Sequence, residues 1–287
     1  MKVLRKPPWL KKRIPPFQDL QKIKSILTET ELHTVCEEAR CPNLGECFSQ
    51  GTATILVLGR ICTRDCGFCA VEHGGPVPPD EAEPHHVAQA IKKMGLQYVV
   101  ITSVTRDDLP DGGASHFAKT IRAIREIDRK TKIEVLVPDF KGDCNSLNRV
   151  LQEGPDVLNH NMETVRRLYA EVRPQAAYER SLNLLKRSKE TYPHIRTKSG
   201  FMLGLGESKE EVLDLLQDLR EAKCDFLTIG QYLQPHTNRL PVVRYIQPEE
   251  FEAYRKIGEE IGFKMVSSGP FVRSSFHASE MFDANLL

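Results

Sequence analysis

Six short β-rich runs alternating with longer amphipathic ones, and polar residues recurring just past the end of each run, predict an α/β fold. The form expected is a partial (β/α)6 TIM-like barrel, because a barrel assembles one site from successive loops at the C-terminal ends of its strands. The runs are Thr54 to Leu58, Tyr98 to Thr102, Ile133 to Val137, Val157 to His160, Thr197 to Leu203 and Phe226 to Ile229. Helical patterns lie between and after them at His85 to Met94, Ala114 to Asp128, Ser146 to Gln152, Ala177 to Lys189, Lys209 to Glu221 and Pro248 to Ile261. Strands spaced by helices make a parallel sheet with right-handed crossovers.

The residues past each run are Cys62, Cys66 and Cys69; Asp107 and Asp108; Asp139; Asn161 and Glu163; Gly204 and Glu207; and Gln231. Their recurrence favours the barrel over an open doubly wound sheet. No low-complexity linker breaks the alternation, so residues 51–265 are assigned to one barrel domain. Residues 1–50 form an N-terminal extension with an irregular basic leader, a helical candidate at Asp19 to Leu27 and a cysteine-bearing segment. Residues 266–287 form the tail.

The 287 residues carry a formal charge of +1 and are 40% hydrophobic, enough for a sizeable core but with no global field to recruit nucleic acid or an anionic membrane. The stretch Met1 to Pro16 lacks the apolar region of a secretory signal, and no later run is long enough to span a bilayer. A cytoplasmic protein without nucleic-acid or membrane partners is expected. Of eight cysteines, six fall in two triplets between Cys36 and Cys69, a clustering that favours metal or redox chemistry over a disulfide framework. Cys144 and Cys224 belong to neither triplet and are assigned to packing.

The second triplet, in Gly59-Arg-Ile-Cys62-Thr-Arg-Asp-Cys66-Gly-Phe68-Cys69, places three soft thiolate donors within eight positions. A four-iron cluster held by three cysteines keeps one iron open for a small molecule. A zinc loop completed by a distant ligand such as His73 is the competing reading, although the paired Cys-x2-Cys spacing of such sites is missing. The first triplet, Cys36-x4-Cys41-x5-Cys47, admits a structural cluster, a zinc site or an electron relay on chemistry alone.

The Cys-x3-Cys-x2-Cys spacing after a first strand, with Phe68 before the last cysteine, resembles the radical S-adenosylmethionine superfamily. That resemblance implies a [4Fe-4S] cluster on Cys62, Cys66 and Cys69. It also implies that S-adenosylmethionine is chelated at the open iron and reductively cleaved, with Phe68 near the adenine. Further motifs run in order along nearly the whole chain: Lys6-Pro-Pro-Trp9-Leu10, Ser199-Gly-Phe-Met-Leu-Gly-Leu-Gly-Glu207, Tyr232-Leu-Gln-Pro235 and Ser268-Gly-Pro-Phe-Val-Arg-Ser-Ser-Phe-His-Ala278. With both triplets they resemble the lipoyl synthases.

The resemblance implies an auxiliary [4Fe-4S] cluster on Cys36, Cys41 and Cys47, its fourth iron ligated by the second serine of Arg273-Ser274-Ser275-Phe276. Phe276 stands where the family carries tyrosine, so a ring is kept and a hydroxyl lost. The implied reaction is insertion of two sulfur atoms at C6 and C8 of an octanoyl chain on a lysine of a carrier domain, with the auxiliary cluster consumed as donor. Those carbons carry no acidic hydrogen, so general-base catalysis offers no route and radical abstraction does. The implied catalytic set is Cys62, Cys66, Cys69 and Ser275, with Phe68, Asn161 and Glu163 contacting the cofactor. The implied partners are the octanoylated lipoyl carrier domain, a low-potential electron donor such as ferredoxin or flavodoxin, and iron-sulfur assembly or repair proteins.

On the residues alone, Asn161 and Glu163 read equally well as helix caps, Asp107 and Asp108 as an exposed acidic turn, and Gly204 and Gly206 as a tight strand-helix turn or a close approach to the cofactor. Lys6, Lys12 and Arg13 are candidates for docking an acidic carrier.

Overall fold

The structure, a computed structural model, describes residues 5–11, 17–49 and 53–283. The chain divides into two compact units, one of Ile14–Asp65 with Ala70–Asn159, the other of Met1–Arg13, Cys66–Cys69 and His160–Leu287.

The first unit opens with α1 (Phe17–Glu29), the two-residue strand β1 (His33–Thr34) and the short helices α2 (Val35–Glu38) and α3 (Leu44–Ser49). The Thr34 hydroxyl caps α2 by accepting the Glu37 N–H. The cysteine-bearing segment is therefore largely helical, in turns too short for periodicity to reveal. Strands and helices then alternate: β2 (Thr54–Val57), α4 (Glu83–Met94), β3 (Tyr98–Ser103), α5 (Ala114–Ile127), β4 (Lys132–Leu136), α6 (Cys144–Gln152) and β5 (Val157–Asn159). Strands β2 to β5 are parallel neighbours in sequence order, and β1 pairs antiparallel with β2. All four residues of β2 are buried, the continuous apolar run of a strand covered on both faces. Helix α5 turns Ala114, Phe117, Ala118, Ile121 and Ile124 inward at helical spacing, and α4 stops where Gly95 takes a left-handed φ of 67°.

The second unit holds α7 (Tyr169–Val172), α8 (Tyr178–Thr191), β6 (Arg196–Leu203), α9 (Lys209–Glu221), β7 (Phe226–Gln231), α10 (Pro248–Glu260), β8 (Met265–Gly269) and α11 (Ala278–Asp283). Strands β6, β7 and β8 are parallel, with Gly200 opposite Thr228 and Gly230 opposite both Met202 and Gly269. A reciprocal pair of bonds between Ser208 and Glu211 starts α9, whose Val212, Leu216 and Leu219 join Leu203, Leu227 and Ile229 in the core. The leader is fastened here too, since the Trp9 indole N–H donates to the Ile246 carbonyl at 3.2 Å.

All six expected strands form, with ends shifted by one or two residues. Leu58 has left the first of them, because its φ of 69° breaks the extended backbone. Strand β8 was not anticipated. Its sequence Met-Val-Ser-Ser-Gly has little β-propensity, and it forms because β7 offers it an edge, so the expected start of the tail at residue 266 lies inside a strand.

Candidate functional site

In the first unit, Cys62 follows a backbone that is pinned at both faces. The Leu58 N–H donates to Glu83 Oε2 at 2.7 Å, and the Leu58 carbonyl accepts from Arg106 Nη1 at 3.2 Å. The Cys62 N–H donates to the Glu72 carbonyl at 2.8 Å, and its sulfur accepts the Thr105 N–H at 3.3 Å and the Arg64 N–H at 3.4 Å. Two oriented N–H donors stabilise a thiolate and tune any cluster bound to it.

Arg64 is buried and forked between two strand ends. Its Nε donates to Asp107 Oδ2 at 2.7 Å, and its Nη2 to Asp107 Oδ1 at 3.0 Å and Asp139 Oδ1 at 2.7 Å. Burial works against the Arg64 charge, but the bonds to Asp107 and Asp139 outweigh it and hold its pKa above the ordinary guanidinium value. Asp108 in turn grips the buried Arg106 at 2.8 Å. Asp107 and Asp108 are thus not an idle acidic turn; each neutralises an arginine.

The first triplet lies wholly in this unit. Cys41 N–H donates to the Cys36 carbonyl at 3.0 Å, and Cys47 N–H to the Asn43 carbonyl at 2.9 Å, so two turns bring the three residues round. Burial pushes the Cys36 thiol up to about 12, and repulsion from Cys41 and Cys47 adds to it against hydrogen bonds from Thr54.

Cys66, Gly67, Phe68 and Cys69 belong to the second unit. Gly67 N–H donates to the Val172 carbonyl at 2.9 Å while its own carbonyl accepts the Leu240 N–H at 2.9 Å. A Cβ at Gly67 would meet Leu240 Cδ1 at 2.8 Å and the Glu171 carbonyl at 3.1 Å, so a side chain there would force Leu240 to shift. Phe68 packs on the apolar core of this unit. The segment after β7 comes back to the turn: Tyr232 OH donates to the Leu240 carbonyl at 2.6 Å, and burial, with the Cys69 thiol adding to it, pushes that phenol up to about 12. Gln231 stitches the segment. Its Nε2 donates to the carbonyls of Leu203 (3.0 Å), Tyr232 (3.0 Å) and Arg244 (3.2 Å), and its Oε1 accepts the Ile246 N–H at 2.8 Å. Gly204 and Gly206, with φ of 111° and 105°, form a tight turn whose 204 and 205 N–H groups point at the Glu207 carboxylate.

Asn161 and Glu163 lie past β5 and cap no helix. Asn161 Nδ2 donates to Glu163 Oε1 at 3.0 Å, and Glu163 forms a bridge with Phe201 of β6, its N–H reaching the Gly200 carbonyl at 3.0 Å. Burial pushes the Glu163 carboxyl up, against the opposing pull of Arg173, Asn161 and Arg273. Arg173 Nη1 also donates to the Asn161 carbonyl at 2.8 Å. The tail arrives at the same turn, where Ser274 Oγ donates to Asn161 Oδ1 at 2.8 Å. A Cβ on Gly230 would collide with the Val272 carbonyl, so the tail lies on bare backbone of β7.

The structure thus brings together Asn161, Glu163 and the Arg273-Ser274 pair in one unit, and Cys36, Cys41 and Cys47 in the other. Phe68, Cys66, Cys69 and Ser275 fall in the second unit and Cys62 in the first. Arg173 and the separate part played by Ser274 escaped sequence reading, Arg173 because it lies inside no motif and Ser274 because its neighbour Ser275 matched the ligand. Arg64 sits within the cysteine motif and could have been flagged as a charge in a buried loop. Cys224 is buried in the core as expected, whereas Cys144 is half-exposed at the start of α6, where its sulfur reaches only the Gly142 carbonyl at 3.7 Å. It therefore contributes little packing. Lys12 and Arg13 lie outside the described residues.

Among the described residues no three His, Cys, Asp or Glu side chains converge to hold a single metal ion. The donor chemistry fits the cofactors otherwise. None of the eight cysteines is in a disulfide, six of them fall in two triplets, and soft thiolates suit iron-sulfur clusters with three cysteine ligands each.

The Radical SAM superfamily model matches residues 56–219, and the model for the N-terminal domain of lipoyl synthase matches residues 1–41. The lipoyl synthase of Caldanaerobacter subterraneus is 56% identical over 275 residues, covering 96% of both chains, and that of Syntrophotalea carbinolica is 57% identical, covering 96% of this chain and 89% of its own. Among solved structures, Streptococcus suis SuiB bound to S-adenosylmethionine shares the fold at TM-score 0.57 and 13% identity, over 85% of this chain and about half (52%) of SuiB. Methylornithine synthase (PylB) does so at TM-score 0.54 and 14% identity, over 87% of this chain and 81% of its own. Identity on this scale, sustained almost from end to end, leaves the motif resemblance no longer a resemblance alone: the chain belongs to the lipoyl synthase family of radical S-adenosylmethionine enzymes.

Proposed function

We propose that this chain inserts two sulfur atoms, at C6 and C8, into an octanoyl group carried on a lysine of a lipoyl carrier domain. The observation that supports this reading is the spacing of Cys36, Cys41 and Cys47, with a Cys41 N–H to Cys36 carbonyl bond of 3.0 Å closing one turn between them, in a chain more than half identical to lipoyl synthases. When bound, the cluster on Cys62, Cys66 and Cys69 with S-adenosylmethionine supplies hydrogen abstraction from unactivated carbon, and the cluster on Cys36, Cys41, Cys47 and Ser275 supplies sulfur.

The chain's own residues set the stage for that chemistry. The N–H groups of Thr105 and Arg64 donate to the Cys62 sulfur and hold it in place. The Val172 and Leu240 contacts fix the Gly67 turn, so Phe68 presents its ring from a rigid base for adenine stacking. Asn161 and Glu163 offer an amide and a half-buried carboxylate to the methionine moiety. Ser275 gives a harder, more replaceable ligand than a thiolate.

A radical mechanism needs electrons at low potential, which a ferredoxin or flavodoxin would supply. Consumption of the sulfur donor calls for iron-sulfur assembly proteins to restore it. Lys6 remains a candidate contact for an acidic carrier. No described helix is long and apolar enough to cross a membrane, and we place the enzyme in the cytoplasm with its carrier.

The test is anaerobic incubation of the reconstituted protein with reductant, S-adenosylmethionine and an octanoylated carrier peptide, read by mass spectrometry. The expected products are 5'-deoxyadenosine and a peptide bearing two added sulfurs. Cleavage of S-adenosylmethionine without added sulfur would reject the synthase reading and keep the radical one.

A further inference from the structure

The two serines of Arg273-Ser274-Ser275 are adjacent in sequence, but Ser274 has a task of its own. Its hydroxyl donates to Asn161 Oδ1 at 2.8 Å, while Asn161 Nδ2 donates to Glu163 Oε1 at 3.0 Å. The amide is therefore used from both ends: its nitrogen holds the half-buried Glu163 carboxylate and its oxygen holds the tail. A third bond, from Arg173 Nη1 to the Asn161 carbonyl at 2.8 Å, fixes the backbone of the same residue.

Two glycines make room for this arrangement. Gly200 of β6 lies under Asn161, where a Cβ would stand 3.2 Å from Asn161 Oδ1 and would collide with the Thr228 hydroxyl. Gly230 of β7 lies under the tail, where a Cβ would collide with the Val272 carbonyl and stand 3.2 Å from Arg273 Nη1. Adjacent parallel strands thus lack side chains where the Asn161 turn and the tail approach them. Arg273 adds a charge that Glu163 senses. Tail and turn form one polar assembly, with Ser274 as the bond between them.

We propose that Ser274 is a positioning residue that couples occupancy of the Asn161–Glu163 turn by S-adenosylmethionine to the placement of Ser275. This rests on the reading that the turn contacts the cofactor and that Ser275 ligates the auxiliary cluster. A ligand that draws on Asn161 and Glu163 orders the amide, the ordered amide holds Ser274, and Ser274 leaves its neighbour a single place to stand. Linkage requires the converse as well: a seated tail strengthens cofactor binding by the same factor. The sulfur donor would then be held most firmly when the radical source is loaded.

The experiment uses the full-length protein with both clusters reconstituted, as wild type, Ser274→Ala and Ser274→Thr. Release of iron to a chelator is followed with and without S-adenosylmethionine, the dissociation constant of S-adenosylmethionine is measured by equilibrium dialysis, and added sulfur is counted on the same preparations. In the wild type S-adenosylmethionine should slow the release of about half of the iron, the share of one cluster in two. Ser274→Ala should abolish that protection and weaken S-adenosylmethionine binding by roughly 5- to 150-fold, the range of ordinary coupling free energies. Ser274→Thr, which keeps the hydroxyl, should restore much of both. Protection that is absent from the wild type, or unchanged in Ser274→Ala, overturns the coupling. If the wild type still adds two sulfurs, the coupling alone has failed; if it adds none, the proposed function has failed and the coupling with it.

Discussion

Arg64 Nη2 and Asp139 Oδ1 stand 2.7 Å apart in a pair whose side chains are 4% and 0% exposed. One partner lies two residues after Cys62 and the other just past β4, so a fully desolvated charge pair ties the cysteine loop to a neighbouring strand end. Removing Asp139 leaves the buried Arg64 balanced by Asp107, so the cost lies below the about 3–5 kcal/mol of a charge left wholly unpaired. Asp139→Ala should therefore lower the stability of the metal-free protein by up to that amount in urea unfolding. Asp107→Ala should cost clearly less, because the Asp107 side chain is 22% exposed and water can take its place. Equal losses from the two substitutions would contradict the burial argument.

Gly230 tests the seating of the tail. Gly230→Ala places a methyl against the Val272 carbonyl, so the tail backbone has to shift. Tryptic cleavage after Arg273 should become several-fold faster, with the rest of the digestion pattern unchanged. Gly75→Ala, where an added methyl meets nothing within 4 Å, is the control.

Cys36 is 5% exposed, whereas Cys41 and Cys47 are half-buried. In metal-free protein, iodoacetamide should label Cys36 last of its triplet, as read by peptide mass spectrometry. In reconstituted protein, Cys36→Ala should lose sulfur insertion and about half of the iron while retaining 5'-deoxyadenosine formation. Loss of both activities in a folded variant that still loads its other cluster would contradict the division of labour.

Asp225 makes the acid limb of stability readable. Burial pushes its carboxyl up, but the Lys189 and Lys264 ammonium groups and the Thr197 N–H win, and its pKa is held below the ordinary value of 3.8. The unfolded chain therefore takes up this proton at a higher pH than the folded one. Stability from this group is complete above about 3.9 and drains away as pH falls through the lower folded value. Asp225→Asn should be less stable than wild type at pH 7, with the gap closing toward pH 2 in urea titrations.

Much of this molecule could be read from its residues. The six strands announce themselves because parallel strands buried on both faces are nearly pure β-branched and aliphatic runs, as at Thr54-Ile-Leu-Val57 and Phe226-Leu-Thr-Ile229. β8 does not, since its Ser267, Ser268 and Gly269 owe their extended form to β7 and not to their own preferences. Motif spacing points to the thiols and to Ser275 and sets Arg64 among them as a charge, but it cannot name that arginine's partners, two carboxylates 43 and 75 positions away. Nor can it separate Ser274 from Ser275, because the bond that distinguishes them spans 113 positions and exists only once both strands are in place.

The bond from the Trp9 indole to the Ile246 carbonyl spans 237 positions. On a ribosome adding roughly 5–20 residues each second, the acceptor emerges some tens of seconds after the donor. Trp9 therefore waits without this acceptor until Ile246 has been made, and any fragment truncated before residue 246 leaves its indole N–H without that dock. A stalled or prematurely terminated polypeptide would carry this mark of incompleteness at Trp9, where proteases can read it.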